Sequence, residues 1–116
     1  MRFVRFRDSL VLAFAATACS GQEILEVVGP SSRTIHAVVG QEIAVTLSTV
    51  GPGEFASPPS ISGAAITFIN AAFVAPFVPA GATQRFRFRA AASGTSVVRF
   101  EHTVNASTVE DTIIVR

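Results

Sequence analysis

The sequence holds a single cysteine and has no lysine, tryptophan or tyrosine. One cysteine, Cys19, excludes an intramolecular disulfide framework and any zinc or iron–sulfur site that is built from several cysteines. Charged residues are also few, at 15% of the 116 residues, whereas hydrophobic residues make up 49%. This balance excludes an intrinsically disordered chain, and the length predicts one domain with a single core.

Long hydrophobic runs are absent too, although a short one stands near the N-terminus. Three arginines at positions 2, 5 and 7 precede an apolar run that begins at Leu10, and small residues follow up to Ala18. A basic start, a short apolar stretch and small residues are the parts of a secretory signal peptide, which we place at residues 1–18. As a helix, the stretch from Leu10 to Ala18 would extend only about 13 Å. A permanent transmembrane helix is therefore excluded, because the hydrocarbon core of a bilayer is roughly 30 Å thick.

The signal segment ends in Ala16-Thr17-Ala18-Cys19, which resembles the lipobox of bacterial lipoproteins. The resemblance implies that the Cys19 sulfur carries a diacylglyceryl group and that Cys19 becomes the mature N-terminus. Ala16 stands where leucine is commonest in a lipobox. Two alternatives are a plain signal peptide cleaved at Thr17-Ala18 and a lone cysteine buried in an N-terminal strand. The lipobox is favoured because the only cysteine stands at the one position that it requires.

A lipid on Cys19 predicts a membrane-anchored protein of the bacterial cell envelope, with that covalent lipid and no other cofactor. Two or more acyl chains are enough for stable anchoring, whereas one chain alone is marginal. Ser20 replaces the aspartate that is associated with retention in the inner membrane, which favours the outer membrane in a cell with two membranes. Residues 19–23 are expected to form a short tether, so the domain would sit close to the bilayer.

From residue 19 onward, apolar and polar residues alternate with a period of two. Ile43, Val45 and Leu47 share one face of a run, and phenylalanines alternate with arginines over residues 84–89. Glycine and proline clusters separate such runs at hairpin-like intervals, and no long window has a helical period free of breakers. Alternation with one polar face is typical of antiparallel sheets. We predict an all-β fold for residues 19–116, a single immunoglobulin-like antiparallel β-sandwich of about seven short strands.

The charge of the mature chain does not indicate a nucleic-acid partner, and we predict none. From residue 19 onward six arginines face seven acidic residues, which leaves a net charge of −1. The most conspicuous charged feature is the stripe of Arg85, Arg87 and Arg89. It fits either a cationic surface for carboxylates, phosphates or lipid headgroups, or a solvated sheet face whose arginines pair with Glu42 and Glu101. The ion-pair interpretation is favoured.

Residues suited to catalysis are scarce. Asp111 is the one aspartate outside the signal segment, and the chain has no Gly-x-Ser-x-Gly motif and no glycine-rich loop with phosphate-binding spacing. His36 and His102 have no partner at the spacing of metal ligands. We predict a protein that is not an enzyme and has no catalytic or metal-binding residues.

Two long connections carry apolar side chains. Phe55 lies within Ser48–Ile61, and Phe73 and Phe77 lie within Asn70–Ala82. Apolar residues at one end of a sandwich either form a binding rim or close the open end of the core. Closure of the core is the favoured alternative, and Phe55 and Phe77 are the positions that distinguish the two.

The order of features from Gly40 onward resembles the chagasin family, immunoglobulin-like protein inhibitors of papain-like cysteine proteases. Counted from Leu47, that family's Asn-Pro-Thr-Thr-Gly-aromatic loop falls on residues 50–55, where only the aromatic end is kept, as Phe55. Residues 80–83, Ala-Gly-Ala-Thr, take the place of the family's glycine-rich loop, and Ala92-Ser93-Gly94-Thr95 takes the place of its Ala-Gly-Thr turn. The family's third loop has an Arg-Pro-aromatic wedge. It falls near residues 103–106, Thr-Val-Asn-Ala, which contain no arginine, proline or aromatic residue.

Three functional hypotheses follow. The ending of the chain also resembles bacterial immunoglobulin-like domains of adhesins, which implies an envelope module with a binding or structural role toward a protein or glycan. The alternative is a divergent chagasin-like inhibitor, in which backbone and Phe55 would fill the protease cleft. An enzyme or metal carrier built on His36 and His102 is the least favoured hypothesis. The candidate binding loops contain Gly51, Pro52, Gly53, Glu54, Phe55, Thr103, Val104 and Asn105.

Overall fold

The computed structural model describes residues 23–29, 31–49, 52–74, 81–104 and 106–116. This part of the chain contains eight β-strands, and no helix within it is long and apolar enough to cross a bilayer. The signal segment and Cys19 lie outside the described residues. In chain order the strands are β1 (Leu25–Val28), β2 (Arg33–Ala37), β3 (Glu42–Ser48), β4 (Ser60–Ser62), β5 (Ile66–Phe73), β6 (Thr83–Ala90), β7 (Gly94–Glu101) and β8 (Thr108–Val115).

The strands form two four-stranded sheets that enclose one core. The first sheet has the order β1-β3-β6-β5 and the second has the order β2-β8-β7-β4. The all-β sandwich predicted from the alternation is confirmed. The described residues hold eight strands where about seven were expected, because the first extended segment is divided between the two sheets.

The core is built by the inward-facing side chains of the alternating runs. Phe86 and Phe88 of β6 and Phe100 of β7 are all completely buried. The Phe86 and Phe100 rings meet edge to face with centroids 4.9 Å apart, and Phe88 meets Phe100 at 6.2 Å. These rings join the two sheets, since β6 belongs to the first sheet and β7 to the second. Edge-to-face aromatic pairs add to the free energy gained by burial alone.

Parallel pairing distinguishes the sandwich from the purely antiparallel one that was predicted. β1 pairs with β3 and β2 pairs with β8, and both pairings are parallel. The cause is a change of sheet within the first extended segment. Gly29 has a φ of 108°, a conformation that favours glycine, and the chain crosses there from the first sheet to the second. Period-two alternation reports which face is buried, not the direction of the neighbouring strand.

The strand directions define two ends of the sandwich. The β3, β5 and β7 strands all finish at one end, which we call the loop end. The opposite end, called the far end, contains the start of β3 and the end of β8. It is closed by backbone hydrogen bonds such as those from the Gly40 N–H to the Ala90 carbonyl (2.8 Å) and from the Val39 N–H to the Arg116 carbonyl (3.0 Å).

Candidate functional site

Three connections meet at the loop end, and they contain the candidate binding residues predicted from the sequence. They are the β3–β4 connection (49–59), the β5–β6 connection (74–82) and the β7–β8 turn (102–107). Register brings them together, because Ser48 is opposite Thr83 and Phe55 forms an isolated bridge with His102. Gly51 and Asn105 of the predicted loops, and the segment 75–80 with Phe77, lie outside the described residues.

Backbone hydrogen bonds join the β3–β4 connection to the β7–β8 turn. The Thr103 N–H donates to the Glu54 carbonyl oxygen at 2.8 Å, and the Glu54 N–H donates to Thr103 Oγ1 at 3.2 Å. Two residues further along the connection, the Ala56 N–H donates to the Glu101 carbonyl at 2.8 Å. The predicted loops at Glu54–Phe55 and Thr103–Val104 are therefore one continuous structural unit rather than two separate loops.

The Phe55 side chain is buried, with 4% of its surface exposed. Its ring meets the His102 ring edge to face, with centroids 5.3 Å apart and an interplanar angle of 85°. The aromatic end of the loop thus closes the core, as the favoured alternative predicted. A role for the Phe55 ring in filling a protease cleft does not fit this position, because the ring is covered by its own protein.

The surface of this unit is formed by residues on either side of Phe55 and at the tip of the turn. Val104 is 61% exposed, and Pro52, Glu54 and Thr103 are exposed as well. We call Pro52, Glu54, Thr103 and Val104 the rim. Val104 is the large hydrophobic side chain that the rim exposes to solvent.

Gly53 permits the close approach of the two connections that form the rim. Its φ is 94°, and a Cβ atom there would lie 2.5 Å from Val104 Cγ2 and 2.7 Å from His102 Cε1. His102 is itself buried, and its Nδ1 accepts the Val104 N–H at 3.2 Å. The turn is held at its base by a further bond from the His102 N–H to the Ser107 carbonyl at 2.9 Å.

The β5–β6 connection is joined to the β3–β4 connection through Thr49. The Thr49 N–H donates to the Ala82 carbonyl at 2.9 Å, and the Ala82 N–H donates to Thr49 Oγ1 at 3.2 Å. Gly81 lies against the Thr49 carbonyl so closely that a Cβ atom there would overlap it. The residues that stand in place of the family's glycine-rich loop are thus bound to the base of the rim.

Gln84 makes contacts at this site that were not predicted from the sequence. Gln84 is 3% exposed and binds the backbone of Phe55. A signal for it was present, since Gln84 stands at an inward-facing position of the run that continues with Phe86 and Phe88. A polar residue on a buried face needs a hydrogen-bond partner. The alternation does not predict the partner of Gln84, because that partner, Phe55, is 29 positions away in the sequence.

The arginine stripe lies on the outer face of the first sheet and its members are paired. Arg87 donates to Glu42 twice, at 2.6 and 3.0 Å, and this hydrogen bond lowers the pKa of Glu42. Arg89 lies 3.8 Å from the same carboxylate, and Arg85 donates to Glu26 at 2.6 Å. The favoured ion-pair interpretation fits these contacts with Glu42 as a partner.

Glu101, the second partner predicted for the stripe, pairs instead with Arg99 of the second sheet. The Arg99 Nε and Glu101 carboxylate lie 3.0 Å apart. The reason is the placement of the strands. Glu101 ends β7, which belongs to the second sheet, whereas the stripe lies on β6 of the first sheet. The stripe lies on the outer face of the first sheet and the Glu101 side chain is exposed on the second sheet, so the core lies between them.

The two histidines lie far apart. His36 is level with Ile114 and, through it, with Thr95 at the start of β7, whereas His102 follows the end of that strand. At about 3.3 Å per residue the separation along the strand is on the order of 20 Å. Within the described ranges, no group of three histidine, cysteine, aspartate or glutamate residues could hold a metal ion.

No protein-family model matches the sequence, and no curated protein is significantly similar to it. Solved structures are similar in fold. The cysteine protease inhibitor EhICP2 from Entamoeba histolytica superposes with a TM-score of 0.64 at 10% identity, covering 83% of this chain and 100% of that one. Amebosin gives a TM-score of 0.49 at 9% identity, covering 78% and 98%. PbICP-C, solved in complex with falcipain-2, gives 0.34 at 10% identity, covering 80% and 97%.

The similarity to the Entamoeba protein establishes the fold. The chain has a chagasin-like β-sandwich, as the resemblance from Gly40 onward implied.

Proposed function

We propose that the chain is a non-catalytic, chagasin-like inhibitor of papain-like cysteine proteases that acts through its loop end. The observation that carries the proposal is the meeting of three connections at one end of the sandwich, at the positions where the chagasin resemblance places the inhibitory loops. The similarity in fold to a cysteine protease inhibitor favours this alternative over a general envelope-binding module.

The rim is the part of the loop end that would enter the protease cleft. It presents backbone, the side chains of Pro52, Glu54 and Thr103, and the exposed Val104. Inhibition of this kind requires no nucleophile, since a rigid edge that occupies the cleft excludes substrate. The hydrogen bonds between Glu54 and Thr103 fix the rim before binding, and a preorganised edge loses less conformational entropy on association.

Val104 provides the direct test of this proposal. We expect the full chain, purified in detergent, to inhibit hydrolysis of a fluorogenic peptide by papain. Val104→Asp should raise the inhibition constant at least about tenfold, because a carboxylate would be desolvated against an apolar cleft, and tenfold corresponds to roughly 1.4 kcal/mol.

The matched control is Val39→Asp, since Val39 is 50% exposed and lies at the far end. This variant should inhibit as the unmodified chain does. Lack of inhibition by the unmodified chain at micromolar concentration would rule out the proposed function. Equal inhibition by both variants would place the contact surface elsewhere on the sandwich.

We also propose that Cys19 carries the lipid anchor and holds the domain on the bacterial envelope, at the outer membrane where the cell has two membranes. Support comes from the residues Ala16 to Ser20 and from the short apolar run before them. An anchored inhibitor would act on proteases at the surface that bears it. The partner would be a protein, and the membrane would be contacted through the lipid.

A further inference from the structure

A polar side chain is buried beneath the rim. Gln84 is the second residue of β6 and faces the core, where it is 3% exposed. Its neighbours at the same level of the first sheet are Leu47 on β3 and Phe73 on β5. A buried carboxamide lowers stability unless its donor and acceptor groups both have hydrogen-bond partners.

Both groups of the Gln84 carboxamide bind the backbone of Phe55. The Phe55 N–H donates to Gln84 Oε1 at 2.8 Å, and Gln84 Nε2 donates to the Phe55 carbonyl oxygen at 3.0 Å. The two bonds reproduce, with a side chain, the pair that opposite residues exchange in an antiparallel ladder. Because Phe55 also bridges to His102, this residue is held by the first sheet through Gln84 and by the second through His102.

The geometry points to Gln84 as the positioning residue of the rim, an inference that rests on the proposed function. Gln84 is buried, so it does not touch the protease and acts through Phe55. Burial of the Phe55 ring fixes the side chain, whereas the two hydrogen bonds fix the orientation of the peptide groups on either side of it. Those peptide groups set where Gly53 and Glu54 lie relative to Val104.

Gln84→Glu removes the hydrogen bond to the Phe55 carbonyl when the new carboxyl group is ionised. Protonation of that group at lower pH provides a donor again. An ionised carboxylate still accepts the Phe55 N–H but has no donor for the Phe55 carbonyl, whereas the protonated acid has an O–H. We expect the inhibition constant of the full-chain variant for papain, relative to the unmodified chain, to rise at least about tenfold at pH 7.5. The ratio should fall to below about threefold at pH 4.5, because burial at this position should raise the pKa of the introduced carboxyl group above its usual value of about 4.3, so that the acid form then predominates.

Other ionisable groups lie near this position. Dividing the inhibition constant of the variant by that of the unmodified chain at each pH corrects for their effect, because both chains contain them. These groups are Glu54 on the connection, Arg85 on the outer face of β6, and Glu101 and His102 on the second sheet. Gln41→Glu is the matched control. Its Oε1 accepts the Val38 N–H at 3.2 Å at the far end, and its ratio should stay near one at both pH values.

Two results of the inhibition assay would overturn the inference. One is a Gln84→Glu ratio below about twofold at pH 7.5. The other is a loss of inhibition that acidification does not reverse, since this would assign Gln84 a structural role only.

Amide hydrogen exchange separates this inference from the proposed function and does not require inhibition. In the unmodified chain the Phe55 amide should be protected from exchange at neutral pH. In Gln84→Glu the ionised carboxylate still accepts the Phe55 N–H, but the connection should open more often because the Phe55 carbonyl has lost its donor. The protection factor of the Phe55 amide should therefore drop at least about tenfold at pH 7.5 and recover at pH 4.5. An unprotected Phe55 amide in the unmodified chain would contradict the positioning role, even if Gln84→Glu does not fold. If the Phe55 amide is protected but the chain does not inhibit papain, the proposed function is rejected and the loop conformation described above is retained.

Discussion

Asp111 is a carboxylate that faces the interior of the sandwich. It is 1% exposed on β8, where the neighbouring inward positions are occupied by Val109 and Ile113. The Arg33 N–H donates to its Oδ1 at 3.3 Å. Desolvation by burial raises the pKa of Asp111 from its usual range, and the hydrogen bond from Arg33 only partly opposes this. The charge of Asp111 therefore lowers the stability of the folded chain near neutral pH.

Asp111→Asn should raise the free energy of unfolding at pH 7. Asparagine keeps an oxygen that can accept the Arg33 N–H and carries no charge to desolvate. The folded chain binds more protons than the unfolded chain between the usual value of 3.8 and the raised folded pKa. The contribution of Asp111 to stability thus grows as pH falls through the folded pKa, and the advantage of Asp111→Asn shrinks over the same range. Urea denaturation at pH 7 and pH 4 measures both.

Glu42→Gln is the control of opposite sign. The hydrogen bond from Arg87 lowers the pKa of Glu42 below 4.5, so its stabilising contribution is present above that pH and is lost as pH falls through the folded pKa. Glu42→Gln should therefore destabilise at pH 7, and less so in acid. A pH-independent difference between Asp111→Asn and the unmodified chain would show that the carboxyl group is not desolvated.

Two glycines in the connections between strands have the same φ angle but different surroundings. Comparing their alanine variants therefore distinguishes the cost of backbone strain from the cost of a steric clash. Gly53 and Gly40 both have a φ of 94°. A Cβ at Gly53 would meet Val104 and the buried His102, whereas nothing lies within 4 Å of one at Gly40. Both alanine variants therefore carry the same conformational strain, and only one carries a clash.

Gly53→Ala should lower the free energy of unfolding by about 1–2 kcal/mol more than Gly40→Ala does. Val104 can turn toward solvent, but His102 is packed against Phe55 and cannot withdraw without opening the core. Urea denaturation of the two variants gives the difference. Equal losses would mean that the β7–β8 turn moves freely relative to the β3–β4 connection.

The sequence predicts some strands and their buried faces but not others. Alternation predicts β3, β6 and β7 together with their buried faces, because each has one apolar and one polar side. It does not predict the short strands β2 and β4, since three to five residues hold too little pattern to distinguish a strand from a loop. Ala44 also departs from the pattern. It stands on the polar face of β3 but is fully buried, because the pair formed by Glu26 on β1 and Arg85 on β6 extends across β3.

At the scale of the whole molecule, the sandwich and the position of its loops follow from the resemblance and the alternation together. The direction of the Phe55 ring and the partner of Gln84 do not. Both depend on hydrogen bonds and packing between residues that are distant in the chain. At residues 52–55 and 103–104, where the sequence departs from the chagasin motifs, the structure has the rim, and its exposed aliphatic residue is Val104.

The anchor that we propose at Cys19 is also a property of the whole molecule. Cys19→Ala should move the protein out of the membrane fraction, because the thiol that would carry the lipid is lost. Fractionation of cells that express the two forms, followed by detergent extraction, measures this. Ser20→Ala, one residue further on, should stay with the membranes. An unchanged distribution of Cys19→Ala would reject the anchor.

The point at which the chain enters the sandwich determines how an anchored copy would stand. Leu25 begins β1 opposite Ile43, next to the far end, and the six residues back to Cys19 reach at most about 20 Å. Strands of eight residues are roughly 26 Å long and separate that end from the rim. A lipid on Cys19 would therefore leave the rim on the membrane-distal side, where a protease diffusing in solution could reach it without displacing headgroups.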